Sequence, residues 1–124
     1  MISPQGEVTT LAGSGTTLIV DTTYFKGGFQ DGPGLTAKFN FPSGMTVSSD
    51  GTVYVADTYN HRLREISTDG NVTTLAGDGV HGKQNGFPEQ VRFDCPFAVR
   101  LNKDSNLLIV DQFNNSVRLL EWQR

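Results

Sequence analysis

A repeated segment is the feature of this sequence that most restricts its fold. Residues 42–66 recur, imperfectly, as residues 96–120, which is an offset of 54 positions (96 − 42 = 54). Each copy alternates short runs of residues that have high β propensity with residues that favour turns. A period of this length indicates a repeated supersecondary unit that packs against its neighbours.

The first copy and the residues after it predict a small antiparallel sheet. Residues 107–110 of the second copy are apolar without alternation, which indicates a strand that is covered on both faces. No segment shows the helical period of about 3.6 residues together with helix caps, so a helical repeat is disfavoured. The expected strands of the first sheet are residues 44–47, 52–56, 62–66 and 71–75.

Turn-forming residues join these strands at equivalent positions in both copies. Asp50 and Gly51 predict a type I′ hairpin, in which both central residues have a positive φ. Asp57 and Asn60 are expected to close the following turn through hydrogen bonds to nearby backbone N–H groups. The corresponding turn residues of the second copy are Asp104, Asp111 and Asn114.

A shorter repeat predicts an additional strand and an insertion. Residues 6–13 (GEVTTLAG) and 70–77 (GNVTTLAG) differ at one position, so we expect a strand at residues 7–12. These copies are 64 residues apart (70 − 6 = 64), so the first linker holds ten more residues (64 − 54 = 10), between positions 14 and 27. The insertion could contact a partner through an apolar patch, pack back on its own sheet or form a short hairpin. The residues of the patch would be Leu18, Ile19, Tyr24 and Phe25.

The repeated motif stands in the first copy as Pro42, Gly44, Asp50-Gly51, Tyr54-Val55-Ala56-Asp57 and Asn60-His61-Arg62-Leu63-Arg64. In this form it resembles the NHL repeat family of β-propellers, and the resemblance covers nearly all of residues 6–120. The resemblance implies blades of four antiparallel strands. The second copy departs from the motif at Ala98, Ser105, Asn115 and Ser116, so the turn types predicted for the first copy apply less strictly to the second.

The predicted strands describe an all-β chain that forms part of a β-propeller. The order is strand four (7–12), then strands one to four (42–76), then strands one to three (96–121), which amounts to two four-stranded blades in one segment, residues 1–124. Two blades do not close a ring, because propellers take about 4–8 blades, and their strand edges would be unpaired. We therefore expect either further blades in a longer parent chain or self-association, in which three copies would give six blades.

Composition and charge argue against several classes of function. The 124 residues carry 10 basic and 13 acidic side chains without a basic cluster, so nucleic acid is not an expected partner. Residues 1–10 lack the features of a signal peptide, and no apolar run could span a bilayer, so we expect no membrane contact and an intracellular location. The single cysteine cannot form an internal disulfide.

Few residues have the chemistry of a catalytic or metal site. His61 and His81 are the only histidines, and both fall in turns or loops, where we expect them to be exposed. A catalytic zinc site usually needs three protein ligands. Cys95 corresponds to Phe41 of the first copy, which predicts a buried and unreactive thiol. The sequence therefore predicts no catalytic residue, no cofactor and no metal ion.

The function that the sequence favours is a non-enzymatic protein-interaction scaffold. A rigid stack of blades would present its loops to a protein partner, and the candidate contact residues outside the insertion are Tyr59, His61, Arg62 and Phe113. The resemblance leaves two alternatives open. One is an RNA-binding propeller, although we expect Arg64 and Arg118 to pair with carboxylates or to cover blade edges. The other is a propeller-type hydrolase or lyase, which would need convergent histidines, carboxylates or a metal ion.

Overall fold

A computed structural model describes residues 6–15, 17–18 and 25–122 of this protein. These residues include two antiparallel sheets, one of five strands and one of three. Two short 3₁₀ helices span Thr58–Asn60 and Gln112–Asn114. The all-β prediction is confirmed. The strands are β1 (Thr17–Leu18), β2 (Phe25–Lys26), β3 (Gly32–Pro33), β4 (Pro42–Val47), β5 (Val53–Asp57), β6 (Arg62–Ile66), β7 (Asn71–Ala76), β8 (Pro96–Leu101), β9 (Leu107–Asp111) and β10 (Ser116–Leu120).

The larger sheet is blade one, which consists of β4 to β7 in consecutive antiparallel order. The short strand β3 adds a fifth strand at its edge, where Gly32 pairs with Val72 of β7. The smaller sheet is blade two, which consists of β8, β9 and β10. Among the described residues, no strand pairs with the outer edge of β10, whereas the equivalent strand of blade one, β6, pairs with β7.

The hairpin between β4 and β5 differs from the predicted type I′ turn. Only Gly51 of the two central residues has a positive φ (93°), and its N–H donates to the carbonyl of Ser48. The Asp50 carboxylate accepts the Thr52 N–H at 3.0 Å, which holds Asp50 in a conformation with negative φ. The loop is therefore a three-residue type that ends in a left-handed residue. Ser105 has the same conformation (φ 63°) in blade two.

The predicted strand at residues 7–12 is not formed within a single copy. These residues have no strand beside them in the described structure, so their backbone has no ladder to join. The end of the segment is nevertheless fixed, because the Gly13 N–H donates to the carbonyl of Gly34 at 2.9 Å. The Gly77 N–H donates to the carbonyl of Pro88 at the same distance, so both copies of the GxVTTLAG segment meet the following loop in the same way.

The insertion contains a short hairpin in its described part. β1 and β2 pair antiparallel, with Thr17 opposite Lys26 and Leu18 opposite Phe25. Of the three arrangements that the sequence allows, the hairpin is therefore present. Ile19 and Tyr24, which belong to the predicted apolar patch, lie outside the described residues.

The main apolar core lies between the two blades. Its members, which come from blade one, from the loop before blade two and from blade two, are Tyr54, Ala56, Leu63, Ala76, Val91, Phe93, Val99, Leu107 and Ile109. A second core lies on the other side of blade one, where the loop that contains Ala37 covers Val53, Val55, Ile66 and Val72. Blade one is therefore covered on both faces. The predicted cover on both faces of residues 107–110 is not formed within one copy, because Leu108 and Val110 are 39% and 43% exposed on the outer face of blade two.

Candidate functional site

A buried carboxylate stands at the end of β5 in blade one. The Asp57 carboxylate accepts hydrogen bonds from the Arg64 guanidinium at 2.6 Å, from the Asn60 side-chain amide at 2.7 Å and from the Asn40 N–H at 2.8 Å. The side chains of Asp57 and Arg64 are both fully buried. Three donors on one carboxylate, one of them cationic, favour its ionised form. Burial raises the pKa of Asp57, and these hydrogen bonds oppose the rise.

Arg64 connects this carboxylate to the loop that precedes β4. Its guanidinium donates to the carbonyl groups of Lys38 at 2.7 Å and Gln30 at 2.9 Å, and to the Asp31 carboxylate at 2.9 Å. The Asp31 carboxylate in turn accepts the N–H and the hydroxyl of Thr74 in β7. One arginine therefore ties together β5, β6, β7 and the loop.

Blade two repeats this network at the offset of 54 residues. The Asp111 carboxylate accepts hydrogen bonds from Arg118 at 2.7 Å, from Asn114 at 2.7 Å and from the Asp94 N–H at 2.8 Å. Arg118 also donates to the side-chain oxygen of Asn85, which occupies the position of Asp31. The difference is that no fourth strand follows in the described part of blade two.

The network corrects the expected role of the turn residues. Asp57 and Asn60 do not cap the 3₁₀ helix between them through its backbone N–H groups. They bind Asn40 and the carbonyl of Gly28, which are distant in sequence, because the preceding loop folds back onto the turn. The expected pairing of Arg64 and Arg118 with carboxylates is confirmed.

Exposed aromatic rings lie where these turns reach the surface. Tyr59 and Phe113 occupy equivalent positions in the two 3₁₀ helices and are 51% and 61% exposed. Phe41, which is 59% exposed, packs against Tyr59 with ring centroids 4.7 Å apart. We call these three residues the aromatic turn face. Of the predicted contact residues, Tyr59 and Phe113 belong to it.

Arg62 and His61, the other predicted contact residues of this turn, are engaged within the protein. The Arg62 guanidinium lies 3.7 Å from the centre of the Phe29 ring and donates to the carbonyl of Asp78. The His61 side chain is only 19% exposed, so the expectation of an exposed histidine is wrong at this position. His81, at 74% exposed, agrees with it.

His61 is partly buried because it packs beside Cys95 at the junction of the blades. Nδ1 of His61 accepts the backbone N–H of Cys95 at 3.1 Å. Donor atoms of His61, Asp94 and Cys95 lie within 4.8 Å of one another, and Nδ1 of His81 lies 4.0 Å from the Asp94 carboxylate. These residue types can bind zinc, and within the described residues this is the group whose geometry could hold a metal ion.

Burial shifts the pKa values of His61 and Cys95 in this cluster. It lowers the pKa of His61, while the Asp94 carboxylate opposes that change. A neutral imidazole is the form that can accept the Cys95 N–H. Burial also raises the pKa of the Cys95 thiol, and the charge of Asp94 adds to the rise. The thiol therefore stays protonated at neutral pH.

We expect Cys95 to react with Ellman's reagent at least about tenfold more slowly in the folded protein than in the urea-unfolded protein, because the reactive thiolate is scarce and the residue is 5% exposed. The rate of absorbance change at neutral pH measures this, and the unfolded sample serves as the control. Equal rates in both samples would contradict the expected burial of the thiol.

Sequence reasoning missed Phe41 and Asp94. The offset pairs Phe41 with Cys95, and both have a positive φ (55° and 53°), but only Cys95 is buried. The difference arises because Cys95 lies at the junction between blades, whereas Phe41 lies at the free side of blade one. The contact of Asp94 with His61 joins residues 33 positions apart (94 − 61 = 33), and no local signal marks it.

The stacked four-stranded and three-stranded sheets define a segment of a β-propeller. A protein of unknown function from Bacteroides thetaiotaomicron superposes on 95% of this chain and 28% of its own, with a TM-score of 0.77 and 29% identity. An auxiliary nutrient binding protein from the same organism covers 78% of this chain and 26% of its own, with a TM-score of 0.70 and 24% identity, and shows the fold alone.

Sequence comparison supports the resemblance to NHL repeat proteins. Residues 39–66 match the model of the NHL repeat. Protein SUPPRESSOR OF QUENCHING 1, chloroplastic, from Arabidopsis thaliana is 29% identical over 81% of this chain, and NHL repeat-containing protein 2 from Homo sapiens is 35% identical over 73%. The chain spans 10% and 13% of the lengths of these relatives. The chain carries an NHL repeat, and the predicted resemblance is confirmed.

The described part of the chain contains no helix with the length and apolar character that crossing a membrane requires.

Proposed function

We propose that this chain is a non-enzymatic protein-interaction scaffold that contacts its partner through the aromatic turn face. The observation that carries the proposal is the exposure of Phe41, Tyr59 and Phe113 at one end of both blades. Aromatic residues are enriched at protein interfaces, where each ring buries a large area at a small cost in side-chain entropy. The partner is a protein segment that offers apolar or aromatic side chains.

The network beneath the aromatic turn face supports this function. The backbone N–H of Tyr59 donates to the carbonyl of Asn40, and that of Phe113 donates to the carbonyl of Asp94, so each ring is carried by a turn that is fixed to its loop. A contact surface that is already ordered loses less conformational entropy when the partner binds. The repeat therefore supplies two equivalent, rigid platforms.

The arginines and the buried carboxylates of the two blades favour neither alternative. Arg64 is fully buried and Arg118 is 11% exposed, and both donate to carboxylates and carbonyl groups, so neither guanidinium is available to a phosphate. Arg62 is held by Phe29 and by the carbonyl of Asp78. The Asp57 and Asp111 carboxylates each accept three hydrogen bonds and are fully buried inside a blade, so neither is exposed to a substrate at the surface.

The test is selection of a phage-displayed peptide library on the purified protein. We expect enriched peptides to contain aromatic and apolar residues, and their affinity to fall about tenfold or more in a Phe41→Ser/Tyr59→Ser/Phe113→Ser variant, as for hot-spot aromatic residues. The matched control is Leu35→Ser, because Leu35 is 64% exposed but lies outside the aromatic turn face. Circular dichroism checks that all variants fold.

Two results would overturn the proposal. One is peptide binding that is equally strong in the triple variant and the wild type. The other is saturable, salt-dependent binding of a single-stranded oligonucleotide by the wild type, measured by fluorescence anisotropy, which would favour the RNA-binding alternative.

A further inference from the structure

We infer that copies of this chain join head to tail, with residues 7–12 of one copy forming the fourth strand of blade two in the next copy. This goes beyond the proposed scaffold function, because it names a second interaction surface and a second copy of the chain as its occupant. The inference rests on an empty groove, on a segment that matches it and on two complementary end faces.

The groove runs along the unpaired edge of β10. It has a volume of about 1060 Å³ and lies between β10 and the loop that contains Asn85 and Phe87. In blade one the equivalent space is filled, because β7 lies between β6 and the short strand β3. The groove therefore occupies the position in blade two that β7 occupies in blade one. The unpaired backbone groups of β10 line one side of it.

The segment that fits this groove is the first GxVTTLAG copy. Residues 6–13 match residues 70–77, which include β7, at seven of eight positions. Val72 is fully buried in blade one, whereas its counterpart Val8 is 93% exposed (72 − 64 = 8). Leu11 is also 60% exposed. Among the described residues of one copy, this segment pairs with no strand and the outer edge of β10 is unpaired.

The side chains of the groove match those that hold β7. Val72 packs against Val53, Val55 and Ile66, whose counterparts at the offset of 54 are apolar; these counterparts are Leu107, Ile109 and Leu120. Thr74 binds the Asp31 carboxylate, and the counterpart pair is Thr10 with Asn85 (74 − 64 = 10; 31 + 54 = 85). Asn85 retains a side-chain oxygen that can accept the hydroxyl.

The outer faces of the two blades are the two halves of one interface. On blade two, Val110 is 43% exposed, whereas its counterpart Ala56 is fully buried between the blades. On blade one, Met45 is 50% exposed, whereas its counterpart Val99 is 1% exposed at the same junction. Stacking blade one of a second copy on blade two would bury both faces as the internal junction does.

Such a contact is heterologous and repeats from copy to copy. A head-to-tail contact closes into a ring when its rotation permits. Three copies of the two described blades make a ring of six, which lies inside the range of about 4–8 blades that propellers adopt. We therefore expect three copies in solution.

The first test traps the strand pairing with a disulfide. In blade one Glu65 is opposite Thr73, so the counterpart pair is Leu119 with Thr9 of the next copy (65 + 54 = 119; 73 − 64 = 9). Chains that carry Thr9→Cys alone and Leu119→Cys alone, both with Cys95→Ala, are mixed and mildly oxidised. We expect covalent heterodimers, because opposed strand residues have the separation that a disulfide needs.

Two controls frame the disulfide test. A Glu65→Cys/Thr73→Cys chain should form the same bond inside one copy, since those residues face each other in blade one. A Thr10→Cys chain mixed with the Leu119→Cys chain should form little covalent heterodimer, because Thr10 points to the other side of the strand. Equal yields from Thr9→Cys and Thr10→Cys would overturn the inferred register.

The second test compares two charged substitutions in the segment. Val8→Asp should weaken assembly by about tenfold or more, because the counterpart Val72 is fully buried. Thr9→Asp should leave assembly intact, because the counterpart Thr73 is exposed. Both positions are exposed within one copy, so neither change should unfold it. Sedimentation velocity over a concentration series measures the mass.

The outcomes separate the inference from its alternatives. A mass of three chains that Val8→Asp lowers and Thr9→Asp does not would support it. A wild-type protein that stays monomeric at all concentrations, or an assembly that Val8→Asp does not change, would overturn it. Either result leaves the contributions of Tyr59 and Phe113 to peptide binding independent, because these two residues lie outside residues 7–12 and outside the free side of blade one, where Phe41 lies.

Discussion

Replacing Asp57 with alanine should lower the free energy of unfolding by about 3–5 kcal/mol, the cost of breaking a buried ion pair. Asp57 and Arg64 are both fully buried, and the substitution leaves the guanidinium with Asp31 as its only carboxylate partner. It also leaves the Asn60 amide and the Asn40 N–H without their acceptor. Since small domains are stable by about 5–15 kcal/mol, blade one should come close to unfolding. Urea titration followed by Trp122 fluorescence and circular dichroism measures the loss.

A matched substitution and a double variant test the cause of this loss. Asp50→Ala removes a carboxylate of the same blade that is exposed and bonds only within its own hairpin, so its effect should be much smaller. In Asp57→Ala/Arg64→Leu the unpaired charge is removed as well, and part of the loss should be recovered. If Asp50→Ala and Asp57→Ala cost the same, the buried network does not hold the blade.

Replacing Gly44 with valine should lower the free energy of unfolding by about 1–3 kcal/mol, the usual effect of forcing extra volume into a packed contact. A Cβ at this position would lie 3.0 Å from the carbonyl oxygen of Phe97 and 3.0 Å from the Cα of Ala98. Both atoms belong to the backbone of β8, so the blades themselves would have to separate. The hydrogen bond from the Ser43 hydroxyl to the Phe97 carbonyl, at 2.9 Å, should weaken with them. The midpoint of urea unfolding measures the effect.

Gly28→Val is the matched control for Gly44→Val. A Cβ at Gly28 would also be close to a neighbour, at 3.2 Å, but that neighbour is the flexible side chain of Lys38, which can move away. Gly28→Val should therefore lower the free energy of unfolding clearly less than Gly44→Val does. A loss for Gly28→Val as large as that for Gly44→Val would show that the close approach of β4 and β8 does not limit the packing of the blades.

Local patterns predicted most strands of the two blades. β6 begins and ends where the sequence places it, and β7 extends one residue further, because alternating propensity and turn residues bound each strand on both sides. The prediction for the hairpin at Asp50 was less successful. The residues Asp-Gly are compatible with more than one type of turn. The Thr52 N–H donates to the Asp50 carboxylate, and this hydrogen bond favours the observed three-residue loop over the type I′ turn.

The candidate site was less predictable than the fold. Tyr59 and Phe113 follow from their equivalent places in the repeat, but the partner of Tyr59, Phe41, and the burial of His61 depend on how the loops fold back. Arg64 illustrates the limit. The sequence indicates that it pairs with a carboxylate, whereas only the folded loop shows that it also binds Lys38 and Gln30.

The sequence by itself determined the repeat, the strands and the kind of sheet, because these depend on residues that are close along the chain. The tertiary structure decided which equivalent residues are buried and which are not. Val8 and Val72 stand in almost identical segments, yet one is 93% exposed and the other is fully buried. Burial depends on the neighbours that packing supplies, and identical segments received different neighbours. That difference is the observation from which we infer that the first segment pairs with another copy.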